Sequence, residues 1–161
     1  CMKYVATSQP DSRIEFMKYD FTLAQALCAN GLPGEALSYA QGSYNVLRES
    51  FGESHDIALD ARFVLGRVIA LLPGRTEEGL AIMRGSIDQR TQKHLSTRIS
   101  RRYLADTLLA LARHDEAIIE QTLVVEESRK NLGTDNPYTV HMTRRLAEFY
   151  DKAGRLEDAP R

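Results

Sequence analysis

The chain has no tryptophan, only two cysteines, five prolines and almost no net charge. Two cysteines, Cys1 and Cys28, are too few for the disulfide framework that holds small secreted domains together. Cys28 lies in an apolar run with no activating histidine or helix start beside it, so it reads as a small buried hydrophobe. Lysine and arginine number 21 against 22 aspartates and glutamates, which gives no general pull toward nucleic acid or an anionic membrane. No apolar run approaches the roughly 20 residues of a membrane helix, and no cleavable signal pattern is visible. The cytoplasm is the compartment these absences favour. A chain that starts at Cys1 and stops at Ala159-Pro160-Arg161 reads as a piece of a longer one, whose targeting segments can lie outside it.

Catalytic and metal-binding patterns are also missing. The glycines end helices and form no phosphate loop. His55, His94, His114 and His141 are scattered, none with a second ligand three or four residues on, so no metal site is expected. His55 and His114 read as turn residues. Glu77-Glu78 and Glu126-Glu127 are adjacent, hence about 100° apart on a helix, and cannot serve one substrate as acid and base. Nothing places a nucleophile beside its base. The expectation is a protein that is not an enzyme and carries no cofactor.

What the chain does have is a repeat. Gly31-Leu-Pro-Gly-Glu-Ala36, Gly74-Arg-Thr-Glu-Glu-Gly79, Ala112-Arg-His-Asp-Glu-Ala117 and Gly154-Arg-Leu-Glu-Asp-Ala159 recur at spacings of 43, 38 and 42 residues, a period that signals stacked helical units. A second match, Gly52-Glu-Ser-His-Asp56 against Gly133-Thr-Asp-Asn-Pro137, falls 81 residues apart, close to two periods. Apolar residues at steps of three and four predict helices over about 12–29, 33–51, 57–72, 77–93, 97–112, 115–132 and 137–153, with a fragment at 156–159. Small residues recur at the points where paired helices must approach closely: Ala24, Gly66, Ala105 and Ala147 in the first helix of each pair, and Ala36, Gly79, Ala117 and Ala159 in the second. The spacing of Gly66 carries one extra residue, which leaves its register open by one. Residues 1–11 read as a lead-in or linker, and 12–161 as one repeat domain with units of about 12–52, 53–94, 95–133 and an incomplete 134–161. The fold class is all-α, a right-handed superhelical solenoid of stacked antiparallel helix pairs.

Leu23-Ala24-Leu27-Gly31, Leu104-Ala105-Leu108-Ala112 and Leu146-Ala147-Tyr150-Gly154 resemble the first helix of the tetratricopeptide repeat (TPR). The small residue five positions later matches that family's second helix. The near-42-residue unit is similar to the longer repeats of kinesin light chain and of many bacterial regulators, where the array is joined to kinase, ATPase or winged-helix domains. Gly79 in place of Ala and Ala112 in place of Gly depart from the family pattern.

The resemblance implies a protein- or peptide-binding module, the sensor or scaffold part of a larger regulatory protein. It places Lys18, Phe21 and Gln25, then Asp60, Phe63 and Arg67, then Ile99, Arg102 and Asp106, then His141, Arg144 and Glu148 in a groove lined by first helices. The family's chaperone-binding members carry Lys and Asn where Phe21 and Gln25 stand, so a chaperone tail is not the expected ligand. A floor changing from Phe21 and Phe63 to Arg102 and Arg144 suits a partner with an acidic end. Arg102–Asp106 and Arg144–Glu148 are spaced for i,i+4 ion pairs. Self-association without a groove ligand is the alternative. The incomplete last pair predicts that Leu146, Phe149 and Tyr150 form an exposed interface, most simply of a symmetric homodimer.

Overall fold

The computed structural model describes residues 10–159, and side chains from Phe16 onward except that of Lys18. Among these residues there is no strand. Seven α-helices follow in order: α1 (Pro10–Ala29), α2 (Pro33–Phe51), α3 (Asp56–Ala70), α4 (Thr76–Gln92), α5 (Arg98–Ala110), α6 (His114–Leu132) and α7 (Pro137–Lys152), with a 3₁₀ turn at Leu156–Asp158. The predicted helices are all present, and their ends agree to within a few residues. Most of the expected 1–11 lead-in lies outside the described residues.

The helix ends follow from their local chemistry. Gly52 and Gly133 both take φ +90° with an extended ψ, a backbone region open essentially to glycine. Three residues after each stands an N-cap. The His55 Nδ1 accepts from the Ile57 amide at 3.3 Å, and the Asn136 Oδ1 accepts from the Tyr138 amide at 2.9 Å. The repeated turn therefore performs the same capping with two different side chains. α1, α4, α5 and α7 close with paired hydrogen bonds around a residue at positive φ, namely Gly31, His94, Ala112 and Gly154. Ala112 thus holds a conformation that glycine takes at the matching positions.

The chain forms two compact units, one reaching to Ile82 and the other starting at Met83. In the first, Ala24, Cys28, Ala36, Ala40, Val64, Leu65, Val68 and Ile69 form the core, with Phe21, Leu37 and Tyr44 packed against it. Burial raises the Cys28 thiol pKa, while the charge of Arg67 offsets part of that rise, as suits a structural rather than reactive thiol. α3 meets α4 at two glycines. A Cβ on Gly79 would stand 2.1 Å from the Ala70 nitrogen and 2.4 Å from the Gly66 oxygen. Gly66 is therefore the crossing residue of α3, and its register is settled. The backbones approach too closely even for alanine.

In the second unit α5 packs on α6, and α6 on α7. Ala105 and Ala117 are fully buried. Gln121, also fully buried, donates to the Met142 carbonyl at 2.9 Å.

Candidate functional site

The site residues expected from the sequence fall into two sets, one in each unit. In the first unit, Phe21 of α1 and Asp60 of α3 come together with Leu47 and Ile57 around a pocket of about 170 Å³. Leu47 is its buried floor. Gln25 and Arg67 are half-buried. Phe63 is not a groove residue: it is 5% exposed and belongs to the core. α3 buries ten of its fifteen residues, and on a helix covered on several sides an aromatic ring gains most by leaving water. The Lys18 side chain lies outside the described residues.

In the second unit, Ile99, His141, Arg144 and Glu148 are exposed, and Arg102 is half-buried with its guanidinium 4.3 Å from the centre of the Tyr103 ring. Asp106 does not pair with Arg102. It accepts instead from Arg145 of α7, a partner on another helix that single-helix spacing does not reveal. Nor do Arg144 and Glu148 form an ion pair among the described residues. Arg101, one of the arginines clustered in sequence, reaches Glu120 of α6 at 2.7 Å, and Arg98 lies over the Tyr138 ring at 4.8 Å. These arginines tie neighbouring helices together.

The expected exposed end of α7 is also corrected. Leu146 and Phe149 are each 2% exposed, and Tyr150 is half-buried with Arg155 over its ring at 5.8 Å. They point into the unit, where α6 packs on α7, and Arg145 lies 5.8 Å from the Phe149 ring centre. Arg155 then pins the 3₁₀ turn to Asp115 at 2.8 Å.

The large apolar surface lies on α1. Phe16, Tyr19 and Leu23 are 64%, 72% and 41% exposed, whereas the corresponding residues of α3 (Ala58, Ala61, Leu65), of α5 and its N-cap (Thr97, Ser100, Leu104) and of α7 (Thr139, Met142, Leu146) are all buried. Comparing positions across the repeat would have found this stripe in the sequence.

A larger pocket, about 480 Å³, opens beside α7. It is lined by Arg129 of α6, Thr134 of the turn, and Val140, Thr143, Arg144 and Ala147 of α7. Of these, only Arg144 stood among the expected site residues.

Arg75–Glu78, Arg113–Glu116 and Arg155–Asp158 form ion pairs at 2.7, 2.5 and 2.9 Å, one at the start of each second helix from the second repeat on. The hydrogen bond from Arg113, with a further one from Arg84, holds the Glu116 carboxyl below its ordinary range. Among the described residues no group of three or more His, Cys, Asp and Glu is placed to hold a metal. No helix among them is long and apolar enough to cross a membrane.

No protein-family model matches the chain, and no curated protein matches it. Solved structures do. The chain is similar to a Podosopora anserina protein designated a kinesin light chain with nearly identical TPR-like repeats, at 20% identity and a TM-score of 0.69, over 95% of this chain and 72% of that one. A Q17M form of that protein aligns at 20% identity and a TM-score of 0.67, over 91% of this chain and 70% of the other. The fold is therefore an all-α helical repeat of the TPR type.

Proposed function

We propose that the chain is a non-catalytic protein- and peptide-binding module, the sensor or scaffold part of a larger regulatory protein acting in the cytoplasm. The observation that carries this reading is the pocket in which Phe21 and Asp60 meet Leu47 and Ile57. Two residues from different helices, both expected on a binding face, share one cavity whose volume suits a single apolar side chain. On the second unit, Arg102 and Arg144 stand ready for an acidic segment, with Ile99 and His141 exposed on the same two helices. The partner is read as protein rather than nucleic acid or membrane, because a net charge of −1 supplies no phosphate-binding field.

The test is selection of displayed peptides on the immobilised chain, followed by titration onto Phe21→Ala/Asp60→Lys and Arg102→Glu/Arg144→Glu. Loss of binding with an unchanged helical circular-dichroism signal is the expected result. Binders that survive both double variants would refute the assignment.

Self-association is the second reading, favoured by the exposed Phe16, Tyr19 and Leu23 stripe. The homodimer surface first expected at Leu146 and Phe149 is not available for it, since both side chains are buried.

A further inference from the structure

The pocket of Phe21, Leu47, Ile57 and Asp60 takes two of these lining residues, Ile57 and Asp60, from the start of α3. A histidine caps that helix start. The His55 carbonyl accepts from the Leu59 amide at 2.9 Å. The His55 Nδ1 accepts from the Ile57 amide at 3.3 Å. A residue that lines the pocket is therefore held through its backbone by an imidazole. The Phe51 ring is stacked on that imidazole, with centroids 5.0 Å apart, and the His55 amide donates back to the Gly52 carbonyl at 3.2 Å. Stacking and turn together hold the imidazole against the end of α3.

An imidazole nitrogen accepts a hydrogen bond only while it carries no proton. Histidine is the side chain whose ordinary charge change falls between about pH 5 and 8. Protonation puts an N–H on Nδ1, where it faces the Ile57 N–H, donor against donor. It also places a positive charge at the end of the helix that free amides already make positive. Both effects work against the first turn of α3. The matching turn before α7 is built differently. There the Asn136 Oδ1 accepts from the Tyr138 amide at 2.9 Å, and a carboxamide does not titrate in this range.

We propose that His55 is a proton switch on the Phe21–Asp60 pocket. Neutral, it caps α3 and holds Ile57 and Asp60 at the pocket wall. Protonated, it releases the first turn, and the pocket loses its hold on an apolar side chain. The proposal rests on the reading of this pocket as a binding site. Among the described residues, the other charged side chains about the turn are Arg48 and Glu49 in the last turn of α2, Glu53 in the turn itself, and Asp56 and Asp60 at the start of α3, with Asp20 next to Phe21 on α1. Arg48 lies over the Tyr44 ring at 5.6 Å. All of them remain when His55 alone is replaced, so a substitution there separates the imidazole from the rest.

The test is a pH titration followed by NMR on the intact 161-residue chain, native and with His55→Asn or His55→Ala. In the native chain the Ile57 amide and methyl shifts should follow the His55 ring between about pH 8 and 5, while the Tyr138 amide does not. His55→Asn, which copies the Asn136 cap, should keep the Ile57 shifts at their alkaline values throughout. His55→Ala should show the acid pattern at every pH. The ligand probe is N-acetyl-leucinamide, a single apolar side chain between two amides. Its dissociation constant on the native chain should rise about threefold to tenfold at the acid end of that range, the size that loss of a side-chain cap implies. On His55→Asn it should stay constant. Ile57 shifts that ignore the His55 titration, or an equal loss of affinity in the native chain and His55→Asn, would overturn the proposal. A probe that binds at neither end of the range would refute the pocket reading, and the Ile57 shifts would still decide the switch.

Discussion

Two residues that depart from the repeat pattern do so in opposite directions energetically. Gly79 replaces an alanine because its crossing with Gly66 and Ala70 leaves no room for a methyl group. Gly79→Ala must push backbone away from backbone, an overpacking cost of about 1–3 kcal/mol, and should lower the urea midpoint accordingly. Ala112 replaces a glycine at φ +58°, where a Cβ costs roughly 1–2 kcal/mol. Ala112→Gly recovers that strain, less the larger entropy of an unfolded glycine, and should raise the midpoint by about 0.5 kcal/mol equivalent. A lowered midpoint for Ala112→Gly would show that the turn tolerates its alanine without strain.

Glu116 gives a pH dependence whose sign is fixed. Its pKa is depressed by Arg113 first and Arg84 second. The stabilisation is therefore present above the carboxyl's ordinary pKa and lost as pH falls through the lowered value. The pair is partly solvent-exposed, so Glu116→Gln should cost no more than about 0.5–1 kcal/mol at pH 7. The difference from the native chain should vanish in acid. Equal differences at both pH values would show that packing, not charge, is what the substitution disturbs.

At the scale of the helix, α1 and α7 carry the same pattern and meet opposite surroundings. Thr139, Met142 and Leu146 of α7 are buried where α1 leaves Phe16, Tyr19 and Leu23 in water. Phe149→Glu places a carboxylate in a site 2% exposed and should cost more than about 3 kcal/mol. Phe16→Glu should stay within about 0.5 kcal/mol. Thermal denaturation of the two variants decides between this placement and one in which α7 offers its aromatic side outward: similar melting temperatures would favour the latter.

For the molecule as a whole, the exposed α1 stripe of Phe16, Tyr19 and Leu23 is the surface on which the self-association reading rests. Light scattering of the native chain against Phe16→Glu/Tyr19→Glu measures it. A concentration-dependent mass that the double variant reduces to the monomer is the expected outcome under the self-association reading. A native monomer at all concentrations would leave the interaction faces to other proteins.

The helical repeat was legible in the sequence because it depends on local and recurrent chemistry. The period of apolar residues, the helix-ending glycines and the small crossing residues each act within a few positions, and repetition confirms one copy by another. The same periodicity put Phe21 and Asp60 on first helices, and the two line one cavity. Phe63, Leu146 and Phe149 were misplaced because a helix's spacing tells which residues share a side but not which sides are covered. The Arg145–Asp106 pair, the Gly66–Gly79 contact and the pocket lined by Arg129 and Arg144 were decided by tertiary structure alone. Each joins residues of different helices, and only their packing brings such groups within reach of one another.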